Sequence, residues 1–240
     1  PVSFSFRSFS SGSPRKRAGR LRQTALTGVL SADRLVEIRP GATAGGTGGE
    51  SSPGLLPHLK EIPLVKTATA DTVFEPVPLW AKVPHGITFG GDATSVGVDS
   101  QDNVYVFSRG NVPVTIFDTN GNYLGGWGEG EFVRPHGIFS DQADDVYLID
   151  DMGHFVQKRT KTGDVVFTLG TKGQAAEWQS GDMFNRPTDV AVSTANGDLF
   201  VSDGYGNSRV HRFDRDGKHI LSWGESGTRP GQFSLPHNIC

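Results

Sequence analysis

The stretch 95-SVGVDSQDNVYVFSRGNVPVTIFDTNGNYLGGWG-128 decides the fold. Short runs of alternating apolar and polar residues, rich in Val, Tyr, Phe and Ile, are split by the turn pairs Asp102-Asn103 and Asn120-Gly121. Such pairs close two-residue hairpins between strands. The pattern returns as 137-GIFSDQADDVYLIDDMGHFVQKRTKTGDVVFTLG-170 and 190-VAVSTANGDLFVSDGYGNSRVHRFDRDGKHILSWG-224. Tyr105, Tyr147 and Phe200 keep step, as do Val114, Val156 and Val210, the turn glycines Gly121, Gly163 and Gly217, and the closing glycines Gly128, Gly170 and Gly224. The first interval is 42 residues at each anchor, and the second is longer because 171-TKGQAAEWQSGDMF-184 extends one loop. Four short strands per unit at this period match a β-propeller blade. A blade buries its faces only against neighbouring blades, so repetition itself supplies stability. Helical solenoids have similar periods, but not Asn-Gly turns with period-two alternation. The fold class read from these repeats is all-β, a β-propeller.

Three units are complete, at roughly 89–128, 137–170 and 186–224, and a fourth begins at 236-PHNIC-240. Propellers close with four to eight blades. The expectation is therefore a partial propeller over 58–240, truncated at its C-terminus after about three and a half blades. An open arc would leave strand edges unpaired.

Residues 1–57 carry eight Lys/Arg against three Asp/Glu, a net of +5, while the remainder is net −8. Six serines fall within residues 3–13, and 41-GATAGGTGGESSPG-54 reads as a linker. An Arg/Ser-rich, acid-poor start is also the composition of targeting peptides and basic arms. The reading taken is a disordered flank, because so little apolar surface cannot offset the entropy of ordering. It contains no clear signal peptide. No apolar run reaches the ~18 residues of a spanning helix, and the single Cys240 can form no internal disulfide. The compartment stays unassigned.

The residues with chemistry lie where each blade's innermost strand begins. Pro135-His136-Gly137-Ile138, Pro187-Thr188-Asp189-Val190 and Pro236-His237-Asn238-Ile239 are equivalent, so histidine occupies alternate blades. In a six-bladed ring, three such imidazoles would converge on the axis, and three histidines with an open position are a catalytic zinc arrangement. The plainer reading is that Pro-His-Gly is a good turn into a strand. His85 repeats the letters of this motif but stands 20 residues before Tyr105, where His136 stands 11 before Tyr147, so it is out of register. His154, His211 and His219 fall in outer strands or turns. Arg109 and Tyr205 follow equivalent strands two blades apart. A guanidinium can grip a carboxylate, and a phenol beside a cation and a metal can ionise below its usual pKa of about 10.

Residues 207-NSRVHRF-213 resemble the closing strand of the NHL repeat, and 89–240 is similar to one branch of that family, the peptidyl-α-hydroxyglycine amidating lyases and their bacterial relatives. The carrying segments are 106-VFSRG-110, 135-PHGI-138, 186-RPTDVAV-192, 201-VSDGYGNSRV-210 and 222-SWGESGTRPGQFSLPHNI-239. The resemblance implies a six-bladed parent with zinc on the axis and a structural calcium. His136 and His237 match two of three zinc ligands, Arg109 and Tyr205 the catalytic arginine and tyrosine, and the carbonyls of Val96 and Ile138 two calcium ligands. It also implies cleavage of a peptidyl-α-hydroxyglycine, or another small hydroxylated amide, to an amide and glyoxylate. Secreted lyases carry a disulfide-bonded cysteine where this chain has Gly206, so that bridge is absent. With one zinc histidine missing, the chain as it stands is expected to be catalytically silent. The competing reading is a non-enzymatic scaffold that binds a peptide or protein on its loop face. A nucleic-acid partner is disfavoured because phosphate contacts need Lys and Arg. A calcium-dependent lactone hydrolase would want acids where this sequence supplies histidines.

Overall fold

The structure, a computed structural model, describes residues 77–240 and, before them, short strand segments only. The chain divides into two compact units, Arg34–Trp80 and Ala81–Cys240 together with Pro1–Asp33. In the first, Glu37–Pro40 and Val65–Lys66 flank Val73–Val77 in an antiparallel sheet, and in the second Ser3–Phe4 pairs with Gly28–Val29. The rest of the 1–57 flank lies outside the described residues.

From Ala93 the chain forms three four-stranded antiparallel blades, each with its strands in sequence order. Blade one is β1 Ala93–Val98, β2 Val104–Ser108, β3 Val114–Phe117 and β4 Tyr123–Trp127. Blade two is β5 Pro135–Ser140, β6 Val146–Asp150, β7 Phe155–Arg159 and β8 Val165–Gly170. Blade three is β9 Asp189–Val192, β10 Leu199–Asp203, β11 Arg209–Phe213 and β12 His219–Trp223. Hairpin chemistry repeats with the strands. Asp118 Oδ1 accepts the amides of Asn120 and Asn122, and Asp214 Oδ1 those of Asp216 and Lys218. These Asx turns need a left-handed residue at the corner, which Gly121 (φ 76°) and Gly217 (φ 86°) provide without a Cβ penalty.

The core sits between blades rather than inside any one of them. Tyr105, Phe107 and Val114 pack against Ile138, Val146 and Leu148 of blade two. On its other face blade two sends Phe139, Tyr147, Ile149 and Val156 against Val190, Leu199, Val201 and Phe213. Strand β6 is buried at every residue, which explains its nearly unbroken apolar run VYLID. The outermost strands are mostly exposed, as in β12. Among the described residues each innermost strand, β1, β5 or β9, pairs with the second strand of its own blade. The 236–239 segment lies beside β9 without forming a strand: Pro236 O accepts from Thr188 Oγ1 at 2.9 Å and Ile239 N donates to Asp189 Oδ2 at 3.2 Å. Among the described residues no helix is long and apolar enough to cross a membrane, and Cys240 is a free thiol.

Candidate functional site

Each blade begins with a lead-in residue just before its innermost strand and has an exit residue just after its second strand. A backbone bond ties the two together: Arg109 N donates to Asp92 O at 2.9 Å, Asp151 N to Arg134 O at 3.2 Å, and Tyr205 N to Arg186 O at 3.4 Å. Three successive blades therefore place three side-chain pairs on one rim. In blade one the pair is Asp92 and Arg109, joined as a salt bridge. In blade two the signs are exchanged, with Arg134 bonded to Asp151 at 3.2 Å. In blade three the Arg186 guanidinium lies 4.4 Å from the centre of the Tyr205 ring, a cation–π contact.

Buried acids fix these lead-in loops. Asp150 accepts from the amides of Val133 and Arg134, and from Gly153 N at 2.8 Å. Asp203, at the equivalent place, accepts from Asn185 N at 3.0 Å and from Asn207 Nδ2 at 2.7 Å. The segment that precedes His136, and the one that precedes Thr188, is thereby held by a carboxylate one strand away. Gly206 fits against Asn185, where an added Cβ would come within 2.2 Å of the Asn185 side chain.

Histidine and threonine alternate at the next position inward. Thr94 Oγ1 folds back onto Phe107 O at 3.0 Å, and Thr188 Oγ1 onto the equivalent Ser202 O at 3.1 Å. His136 and His237 instead reach the same phenol. The Tyr205 oxygen stands 3.1 Å from His136 Nε2 and 2.8 Å from His237 Nε2. The two imidazole rings are 4.8 Å apart at their centroids. Thr188 O lies 2.7 Å from His136 Nδ1, so that nitrogen carries the proton and Nε2 presents a bare lone pair. His237 Nδ1 stands 3.2 Å from Asn238 Oδ1, which sets the same tautomer. A phenol has one proton to donate and faces two lone pairs. One lone pair is left over, and a cation held between the nitrogens would satisfy both. Anchoring the far ring nitrogen on a backbone carbonyl is also the usual support for a metal-binding histidine. Burial, with His237 next, pushes His136 down to about 4, so the ring is neutral, as a metal ligand must be. The donor set thus fits zinc with His136, His237 and the nearby phenol. Among the described residues no group of three or more His, Cys, Asp or Glu side chains is gathered as a metal cage.

Arg109 makes no hydrogen bond to the phenol. It bonds Asp92 and, through Nε at 3.4 Å, Pro135 O on the strand that carries His136. Its charge still acts on His136 and Tyr205. Burial and then Asp151 push the Tyr205 pKa up, and Arg134, Arg186 and Arg109 offset this only in part. The residues alone hold the phenol protonated at neutral pH. Val96 and Ile138 lie on β1 and β5, the innermost strands of adjacent blades. Away from the rim, His219 bonds Ser222 Oγ at 2.8 Å, and His211 is fully buried against Ser222 and Asp203.

Residues 184–213, the β9 to β11 segment with its lead-in, match the family model described as NHL repeat. The chain is an NHL-repeat propeller. This NHL-repeat propeller is 33% identical over 181 residues to peptidylglycine alpha-amidating monooxygenase of Rattus norvegicus, covering 62% of this chain and 18% of that protein. It is 32% identical over 219 residues to peptidyl-alpha-hydroxyglycine alpha-amidating lyase 1 of Drosophila melanogaster, covering 81% and 40%. It is also 33% identical over 172 residues to NHL repeat-containing protein 3 of Homo sapiens, covering 67% and 48%. It therefore spans less than half the length of each of these relatives. A solved structure of a protein of unknown function from Bacteroides thetaiotaomicron shares its fold, with a TM-score of 0.50 at 17% identity over 63% of this chain and 42% of that one.

Arg134, Asp151 and Arg186 on this NHL-repeat rim were not singled out in the sequence. Signals for them exist there. Arg-Pro stands immediately before His136 and again before Thr188, and Asp151 lies 42 residues after Arg109, one full repeat. His154 also acts at the rim, because its Nδ1 accepts the Arg186 amide at 3.2 Å.

Proposed function

We propose that the chain contributes part of an amidating-lyase-type site, which cleaves a peptidyl-α-hydroxyglycine or a related small hydroxylated amide to an amide and glyoxylate. One observation carries the reading: two imidazoles from alternate blades meet at the hydroxyl of Tyr205. His136 and His237 would hold zinc. When bound, zinc supplies Lewis acidity and lowers the pKa of a hydroxyl at the site.

The chain's own residues have distinct tasks. Tyr205, as phenolate, takes the proton of the substrate's α-hydroxyl. The O–H electrons become the second bond of the aldehyde, the C–N bond breaks, and the departing amide nitrogen receives a proton. Tyr205 starts protonated on the residues alone, so reaching the phenolate depends on cations at the rim. Arg109 steadies negative charge at the phenol or at the substrate carboxylate. The carbonyls of Val96 and Ile138, on the innermost strands of adjacent blades, would hold a structural calcium, an ion that takes carbonyl oxygens readily.

The experiment is release of glyoxylate from a peptidyl-α-hydroxyglycine by the protein that carries this chain, beside its zinc content. Release that is lost in His136→Ala and Tyr205→Phe supports the reading. Glyoxylate release unchanged in both would end it.

A second reading has its own support, the lack of a three-ligand cage among the described residues. On that reading the propeller is a scaffold, and a peptide or protein docks on its loop face, where Val133 and Trp178 are well exposed.

A further inference from the structure

Asp151 and Arg186 have no task in the proposed chemistry, yet both are held tightly. Asp151 is fully buried. Its Oδ2 accepts from Arg134 Nη1 at 3.2 Å and from Arg186 Nη2 at 2.9 Å. Arg186 takes a left-handed backbone, φ 61°, which strains a non-glycine residue and persists only where surroundings over-determine it. Here its amide is bound by His154 Nδ1, its carbonyl by Tyr205 N, and its guanidinium by Asp151 and the Tyr205 ring. The side chain is still 31% exposed, and that of Arg134 37%. Among the described residues the buried Arg186 Nε has no acceptor. An arginine has five donors, and here the scaffold fixes the plane without satisfying the group.

Two guanidiniums on one carboxylate leave a net positive charge, already oriented, beside the phenol. We propose that Arg134 and Arg186, bridged by Asp151, form a carboxylate subsite separate from Arg109, and that the site selects ligands with an acidic side chain next to the reacting glycine unit. The inference rests on the reading of His136, His237 and Tyr205 as the reacting centre. Adjacent Cα atoms of a peptide are about 3.8 Å apart, so the side chain of the residue before the reacting one is within reach of a guanidinium that covers the Tyr205 ring. Arginine suits a carboxylate because its fork can bond both oxygens. Asp151 limits the subsite to a single negative charge, since it cancels one of the two cations. It is a positioning residue, holding the two guanidiniums without touching the ligand.

The test uses the full 240-residue chain and three unreactive probes, acetyl-Glu-Gly, acetyl-Leu-Gly and acetyl-Lys-Gly, titrated calorimetrically at low salt. The glutamyl peptide should bind at least tenfold more tightly than the leucyl one, and the lysyl peptide most weakly. Arg186→Gln should shrink the glutamyl preference to within about twofold, and Arg186→Lys should recover only part of it. Arg134→Gln is the second variant, and circular dichroism identifies any variant that fails to fold. Equal binding of all three peptides overturns the subsite while leaving the reacting centre standing. A preference that survives both glutamine variants also overturns it. If no peptide binds, the subsite falls, and the reacting centre is decided by glyoxylate release alone.

Discussion

Asp151 holds in blade two the position that Arg109 holds in blade one, so a single step of the repeat reverses the charge at the rim. Their partners reverse as well, Arg134 for Asp151 and Asp92 for Arg109. The repeat therefore conserves a pairing geometry, in which an exit residue is tied to the lead-in residue of its own blade, and leaves the chemistry of the pair free. In blade three the same geometry carries Arg186 and Tyr205. A propeller can vary its rim in this way without disturbing its core, because the pairs sit beyond the strand ends.

Removing the Asp151 carboxylate should cost stability even though the two arginines are partly in solvent. Asp151→Asn keeps the shape but leaves two guanidiniums facing each other without their shared anion. Solvent screens part of that, so about 1–2 kcal/mol is expected. Urea denaturation would measure it, and Asp151→Asn combined with Arg186→Gln should lose less than the two single variants added together. Simple additivity would show that the two side chains are not coupled.

The acid that closes β10 should matter more. Asp203→Ala leaves the Asn185 amide and the Asn207 side chain without their acceptor in a buried place. Unsatisfied buried donors cost about 1–3 kcal/mol each. The expected result is a lower melting temperature, with faster amide hydrogen exchange at Asn185 than at distant β7 residues. Uniform exchange rates would argue against a local role.

Gly206 gives a packing test. A methyl group there would overlap Asn185 at its Cβ and Cγ, buried atoms that are not the free end of a flexible chain. Overpacking of this kind costs about 1–3 kcal/mol. Gly206→Ala should therefore melt several degrees lower, whereas Gly130→Ala, whose added Cβ meets nothing within 4 Å, should lose only the strain of its own positive φ.

How far the sequence led depends on the range of the interactions involved. Hairpins are local. Asp118 speaks to residues two and four positions on, so the turn pairs and the repeat revealed the blades directly. His136, His237, Arg109 and Tyr205 were legible because repeat register, a one-dimensional quantity, singles them out. Arg186 was not, since its meaning comes from Asp151, 35 positions away, and from a ring it happens to cover. The upward push on the Tyr205 pKa from the residues alone was hidden for the same reason. Neighbouring cations could be inferred from sequence, but burial and a buried acid at the rim could not.

Alkaline pH should destabilise the blades through two repeat-equivalent phenols. Tyr105 OH lies against Asp99, and Tyr147 OH donates to Asp141 at 3.2 Å. Burial, then Asp99 and Asp144, raise Tyr105 to about 12, and burial and Asp141 raise Tyr147 further. The unfolded chain gives up these protons near pH 10 while the folded chain keeps them. Their stabilisation is therefore complete below about pH 10 and falls as pH rises towards 12. Melting temperatures across that window should decline, and Tyr105→Phe should flatten the decline. Phe200 occupies the equivalent place in blade three and needs no such protection.

The two histidines should separate stability from metal binding. His136 is anchored at both ring nitrogens, by Thr188 O and the phenol, and its burial keeps it neutral. His237 is half-buried and held by the phenol and its neighbour Asn238. Deleting the His136 ring empties a packed position and strands the Thr188 carbonyl, which should cost about 2 kcal/mol. Deleting the His237 ring should cost under about 1 kcal/mol, the range of a surface change. Zinc affinity should respond differently, because two lone pairs converge on one point and either is half of the set. His136→Ala and His237→Ala should each abolish measurable uptake in equilibrium dialysis, however unequal their melting temperatures. If His237→Ala retains the zinc bound by the unaltered chain, the shared centre at the Tyr205 hydroxyl is wrong.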